Sequence, residues 1–317
     1  MNLTMTRDAA PVRPSVGLLE RSLRFASMGG CVSLRIATPP GTEIAAECDL
    51  EMVARRIERW AERITRFAEG SELVALNRER AQPSTSVGPS LGALLARSRQ
   101  LSEATGGLVD VTLLDARLTA EQGGSTQLTD TDWRLLPSGR RWRVLRQSAL
   151  AFDLDGVGKG WIADRALGLL RRYPCAMVDA DGDVAFRAEG GCDWGIAIAD
   201  PRMGDGDLGV LAPPPGRGGA TFGIATSGTS VHRWQVGTGW AHHLIDPRSG
   251  RPSDSDVVQA TVVADGALMA EALAKSVVIA GADAGLRLLA RARAQAAVVL
   301  LSSGDVIAPA GAEAWLA

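Results

Sequence analysis

All three histidines of this chain, His232, His242 and His243, fall within residues 225–252, ATSGTSVHRWQVGTGWAHHLIDPRSGRP. Imidazole has the unperturbed pKa closest to neutrality and serves as general base, phosphate contact or metal ligand. Small and hydroxyl residues (Thr226 to Ser230) precede them, and Asp246-Pro247 and a Gly250 turn follow. One histidine in a polar loop is an ordinary solvated side chain. Three beside a carboxylate point to a site. Lysine is sparser still than histidine: of 34 basic residues only Lys159 and Lys275 are lysine. A compact ammonium does what a planar guanidinium cannot, so both positions matter. Lys159 follows a glycine turn in FDLDGVGKGWIAD (152–164), where a helix start would aim backbone N–H groups at an anion. The spacing is neither that of a P-loop nor GxGxxG. Lys275 stands one helical turn after Glu271, so both side chains point to the same side. Their surroundings, ALMAEALAKSVVIAG, are too apolar for an ordinary solvated pair. The carboxylates of residues 179–193 lack the EF-hand register and closing Glu, which argues against calcium.

The elements that must position these groups read as α+β. Cys31–Ile36 alternates as a strand after Met28-Gly29-Gly30. Leu50, Val53, Ile57, Trp60, Ile64 and Phe67 form one helical face over residues 49–67. Phe67 reads as the last core residue of that helix. A second helix over residues 89–104 stops at Thr105-Gly106-Gly107. Residues 121–141, rich in Gly, Ser, Thr and Asp, predict an irregular loop. Strands are expected at 176–178, 194–198, 257–264 and 296–301, and helices after Lys159, at 266–280 and at 284–294. Without the regular spacing of a doubly wound chain, this order predicts α+β with mixed sheets. Residues 1–25 are expected to be a flexible arm and 26–317 one domain.

Bulk composition narrows the classes. Hydrophobic content of 46% and charged content of 22% over 317 residues describe a soluble globular protein with ample core. A net charge of −2 offers no broad attraction for nucleic acid or anionic membrane. Cys31, Cys48, Cys175 and Cys192 form no CxxC, so the expectation is buried free thiols in a reducing compartment. The first residues hold no signal-length apolar core, and no run approaches the ~18 apolar residues of a span. A cytoplasmic location is expected.

Several of these stretches, in order, resemble the FAD:protein FMN transferases, the ApbE family. Met28-Gly29-Gly30 resembles the family's MGT, SELVALN (71–77) its SELSRLN and TGGLVDVT (105–112) its TGGAFDVT. FDLDGVGKGWIAD resembles IDLGGIAKGYAVD, DADGDV (179–184) resembles NAGGDI, and TSG with HHLIDP resembles TSG…HHIIDP. Residues 266–281 resemble ADALATALFVLG, whose Asp and Thr bind magnesium; Glu271 and Lys275 stand there. Gly30, Asp155 and Asp181 also depart from the pattern. The resemblance implies one fold with flavin in a central cleft, contacted by Met28, Phe67, Asn77, Leu108, Val109, Asp110, Asp153, Lys159, Ser227 and Lys275. Gly156, through its carbonyl, and Glu271 would face Mg²⁺.

The implied chemistry attaches the FMN half of FAD to a Thr or Ser hydroxyl of a target protein and releases AMP. His243 is the expected base, with Asp246 orienting it or sharing its charge; His242 is structural or a phosphate contact. Lysine has no lone pair for a metal while protonated, so magnesium dependence is expected to be weak or absent. The rival readings are an FAD-binding protein or FAD pyrophosphatase without transfer activity, and a structural protein without flavin.

Overall fold

The computed structural model describes residues 17–125, 132–189, 194–204, 206–214, 221–236, 239–309 and 311–316. Its frame is an eight-stranded sheet in which spatial order equals chain order. The strands are β1 (Leu19–Ser27), β2 (Gly30–Thr38), β3 (Cys175–Ala180), β4 (Asp183–Ala188), β5 (Thr221–Gly228), β6 (Val257–Ala264), β7 (Ala296–Leu301) and β8 (Val306–Ile307). The α+β class is as expected. Within it, the sheets expected to mix directions are antiparallel in every described pairing.

The connections explain this. Met28-Gly29 and Asp181-Gly182 are two-residue hairpin turns with φ of 55° and 80°, and of 59° and 95°. Positive φ at both positions matches the twist of the flanking strands. Between β6 and β7 lie two helices, α6 (Ala267–Ala280) and α7 (Ala282–Ala292). One helix would return the chain parallel; two return it antiparallel. The two hairpin tips also meet, since a Cβ on Gly30 would collide with the Asp181 carboxylate. The side chain absent at 30 leaves the room that Asp181 fills, so two departures from the family pattern are one exchange.

Residues 39–174 carry α1 (Glu43–Ile64), α2 (Glu72–Arg78), α3 (Pro89–Ala104), α4 (Leu114–Glu121), α5 (Gly158–Leu169) and a three-stranded sheet of residues 84–87, 133–138 and 141–146. Strand alternation divides the core. Met177, Phe186 and Phe222 lie opposite one another and belong to the cluster closed by Trp194 and Trp315. Val178 and Ala185 belong to the cluster with α1 and α5, while Ala225, Val262 and Val299 pack with α6 and α7. Gly223 has no side chain because the start of α6 lies on it: a Cβ would collide with the Gly266–Ala267 backbone.

The structure corrects four expectations. The arm does not extend through residue 25, because β1 starts at Leu19 and pairs with β2 along its whole length; residues 1–16 lie outside the described residues. The first helix ends at Ile64, so Phe67 lies beyond it. Trp133–Ser138 is a strand within the expected loop, held by the Arg141–Arg146 strand and by burial of Trp133. The cysteines are not uniformly buried free thiols: Cys31 and Cys48 are exposed thiols, and Cys175 is disulfide-bonded. Among the described residues no helix is long and apolar enough to cross a membrane.

Candidate active site

The site is built by α6 running against the 156–164 segment. At the first turn of α6, the Asp164 carboxylate accepts the N–H groups of Ala267 (2.8 Å) and Leu268 (3.1 Å), capping it from a neighbouring helix. One turn on, Glu271 accepts the Gly160 N–H at 3.1 Å. A further turn on, a Cβ on Gly156 would collide with the Lys275 ammonium. Positions 267, 271 and 275 thus form one stripe along α6 that meets 164, 160 and 156 in turn. Gly160 permits the approach, since a Cβ there would lie 2.8 Å from the Ala267 carbonyl. The acceptor expected at the start of α5 is supplied in part from within, by the Glu271 carboxyl.

Both lysines of the chain converge here. Lys159 Nζ lies 3.5 Å from Asp181 and 3.7 Å from Asp183, and donates to the Asp181 carbonyl at 3.3 Å. Burial opposes the Lys159 charge, but Asp183, Asp181 and Glu271 outweigh it and push its pKa up. Asp183 and Glu271 are each only 4% exposed. Burial drives Asp183 up to about 6 despite the pull of Lys159 and Lys275. Burial and the Asp183 charge drive Glu271 up to about 8 against the same two cations. Near neutrality Glu271 therefore holds its proton.

That shift predicts a stability change with a definite sign. Folded Glu271 binds its proton more tightly than the unfolded chain does, so stability falls as pH climbs from the ordinary carboxylate range through about 8. Glu271→Gln keeps an acceptor for Gly160 and removes the ionisation. It should match wild type in acid and exceed it by on the order of 2 kcal/mol at alkaline pH. Denaturant melts across that range check this; parallel pH curves would mean that Glu271 ionises freely.

Of the expected site residues, Leu108, Val109, Asp110, Asp153, Gly156, His243 and Lys275 line one cleft and Lys159 and Glu271 do not; Arg117, Asp155, Leu244 and Ile279 also form part of its wall. Arg117 was not legible beforehand: it sits on α4, in a stretch without a motif. Its Nη1 donates to Asp153 and Asp155 at 2.9 Å each, and Arg66 Nε reaches Asp155 at 3.1 Å. Asp155, a departure from the family pattern, is the carboxylate shared by these two arginines. Burial and then the Asp155 charge raise Asp153, with Arg117 opposing. Asp110 accepts the backbone and hydroxyl of Thr112 at 2.8 and 2.7 Å, which fixes the turn at the cleft floor.

His243 enters the cleft beside Lys275. Its Nδ1 is buried and without a hydrogen-bond partner, and its ring meets His232 edge to face at 5.2 Å. Burial, the Lys275 ammonium, His232 and Arg117 together hold its pKa down to about 2, so the imidazole is neutral. His232, also depressed by burial and by Lys159, stands at φ 48° and accepts the His243 N–H at its carbonyl, 3.2 Å. His242 is structural: its Nε2 donates to the Ser253 carbonyl at 2.9 Å, while its Nδ1 accepts the Leu244 N–H at 3.3 Å.

Other expected site residues lie elsewhere or do other work. Asp246 does not orient His243. Its carboxylate is held by the Arg248 backbone and guanidinium at 2.7–3.1 Å, which outweighs burial and keeps its pKa low. A two-residue spacing makes that closed turn cheaper than a reach to the histidine. Asn77 commits both ends of its amide to Phe152, donating to its carbonyl and accepting its N–H at 2.8 Å each, and so positions the 153–160 segment. Phe67 is 72% exposed under the Arg66 guanidinium, 4.1 Å away, which removes the core reading. Met28 is at the hairpin tip against the core, and Ser227 is half-buried on β5 opposite Ala260. None of these five lines the cleft.

Sheet and cleft define an α+β protein in which a neutral imidazole and an ammonium line one cleft beside an antiparallel sheet. The chain belongs to the ApbE family, whose model it matches over residues 28–300. It is 30% identical over 153 residues to a FAD:protein FMN transferase of Salmonella typhimurium, covering 47% of this chain and 40% of that one. The match to a FAD:protein FMN transferase of Treponema pallidum is 26% over 280 residues, 79% of this chain and 75% of the relative. The flavin transferase ApbE from Vibrio cholerae shares the fold with a TM-score of 0.73 at 20% identity, covering 94% of this chain and all of the other. The ApbE protein from Thermotoga maritima does so with the same TM-score at 23% identity. The Salmonella match thus spans about two fifths of that relative's length.

Proposed function

We propose that this protein is an FAD:protein FMN transferase. The observation that carries the reading is the convergence of His243, with its unpartnered buried nitrogen, and Lys275 on one cleft. A buried polar atom without a partner costs about 1–3 kcal/mol, and an acceptor hydroxyl that approaches it recovers that cost. The cleft's apolar wall of Leu108, Val109, Leu244 and Ile279 suits a flavin ring, and Lys275 suits an anionic pyrophosphate.

In the proposed step the acceptor hydroxyl oxygen attacks the FMN-side phosphorus and its proton passes to His243. The bond from that phosphorus to the bridging oxygen breaks, and AMP leaves with the oxygen. The work is positioning and charge neutralisation. A neutral imidazole has a free lone pair, but the cations around it make it a weak base. Burial is the larger cause of that depression, and FAD's phosphates would oppose only the part due to Lys275 and Arg117.

A divalent cation, which the family resemblance implies, does not fit the residues present. Lys275 fills the space at Gly156, and the Glu271 carboxyl already accepts the Gly160 N–H. No group of three His, Cys, Asp or Glu side chains among the described residues could hold a metal. No step is therefore assigned to one.

The reading is tested by incubating the protein with FAD and a Thr-bearing acceptor protein, then assaying AMP and acceptor-bound flavin. Equal amounts of both are expected. Free FMN with AMP, independent of acceptor, would make the protein a pyrophosphatase instead.

A further inference from the structure

Resting on the reading of the cleft as an FAD site, we propose that the Lys275 ammonium is a built-in replacement for a divalent cation: the chain carries its own pyrophosphate counter-charge and works without metal.

Three observations converge on this. Lys275 is fixed by the α6 stripe, so its Nζ is delivered to Gly156 by the same packing that places Glu271 on Gly160 and Asp164 on the helix start. Gly156 is the place where a side chain is missing and an ammonium fills the room. A planar guanidinium would need more space, which explains lysine here in a chain that otherwise writes arginine. The nearby carboxylates are also committed elsewhere. Asp183 faces Lys159 at 3.7 Å, and Glu271 accepts Gly160. A dication arriving at Gly156 would meet the Lys275 ammonium at contact distance. An ammonium cannot ligate it, and two like charges a few ångströms apart repel.

Asp183 and Glu271 have a different role on this view. Asp183 pairs with Lys159 at 3.7 Å and, with Glu271, lies within electrostatic reach of Lys275. Lys275 also acts on His243, so one cation serves both the phosphate and the neutral state of the base.

The test has two arms. In the first, Mn²⁺ is titrated into the protein without FAD and followed by paramagnetic resonance, for wild type, Lys275→Thr and Lys275→Gln. Wild type should show no specific site, and Lys275→Thr should bind Mn²⁺ at least ~10-fold more tightly, once the repelling charge is gone. In the second, FAD affinity is measured by calorimetry in excess EDTA and in millimolar Mg²⁺. Wild-type affinity should be the same in both. Both variants should bind FAD roughly 10- to 100-fold more weakly in EDTA, and Mg²⁺ should restore Lys275→Thr. Wild type that binds Mn²⁺ as tightly as Lys275→Thr, or that needs Mg²⁺ for FAD, overturns the proposal, as does a Lys275→Thr that gains no Mn²⁺ site. The wild-type comparisons stand even where a variant fails to fold. Failure of the FAD reading has its own signature: no FAD binding in either buffer, with the Mn²⁺ contrast between wild type and Lys275→Thr intact.

Discussion

Replacing His243 by alanine is expected to slow FMN transfer about 100-fold or more, the scale of a lost general base, while FAD binding stays nearly intact. The argument rests on placement: the imidazole lines the cleft, is neutral, and keeps one nitrogen free of any protein partner. Because burial and Lys275 hold its pKa down to about 2 in the free protein, kcat/KM should show no histidine inflection between about pH 5 and 7. An ordinary solvated histidine would give one. Single-turnover transfer with a pH series measures both points. His243→Ala with near-normal transfer would move the base elsewhere. Asp246 is a poor substitute, since Arg248 holds its carboxylate.

Lys159→Ala is expected to destabilise the fold by about 3 kcal/mol, because it strips the cation from buried carboxylates. Asp183 keeps only 6% of its side chain exposed and has Lys159 as its ion-pair partner at 3.7 Å; Asp181 shares the same ammonium. The loss should shrink in acid, where the carboxylates are protonated in folded and unfolded chains alike. Lys159→Ala combined with Asp183→Asn should recover more than half of it, since the uncompensated charge is then gone. Denaturant melts of the three variants decide the matter. An unchanged Lys159→Ala midpoint would mean that water already screens the pair. Loss of FAD affinity is a second, smaller effect, because Lys159 is engaged by protein acids first.

Much of this site could be read from the chain, and the part that could not has a physical reason. Lys159, Lys275 and the histidine window stood out because rare residue types mark function where common ones do not. The i,i+4 relation of Glu271 and Lys275 followed from helical periodicity alone. What periodicity cannot give is the partner across space. Arg117 and Arg66 lie in stretches without a motif, and only folding brings them to Asp153 and Asp155. Asp246 was misassigned for the converse reason: sequence proximity to His243 suggested a pair, but a turn closed on Arg248 lies nearer. Asn77 matches a motif and still serves the backbone of Phe152. The strand at residues 133–138 was hidden by the turn-rich residues before it, since strand formation there depends on pairing with residues 141–146.

The central claim is that the cleft between the Leu108–Asp110 turn and α6 receives the FAD pyrophosphate, with His243 facing its FMN-side phosphorus. A crystal structure with FAD bound, grown in the presence of EDTA, tests it most directly. The account predicts phosphate oxygens within hydrogen-bond reach of Lys275, the flavin ring against Leu108 and Val109, and the His243 ring turned toward the phosphorus. FAD lying outside this cleft, or a pyrophosphate turned away from both Lys275 and His243, would contradict it.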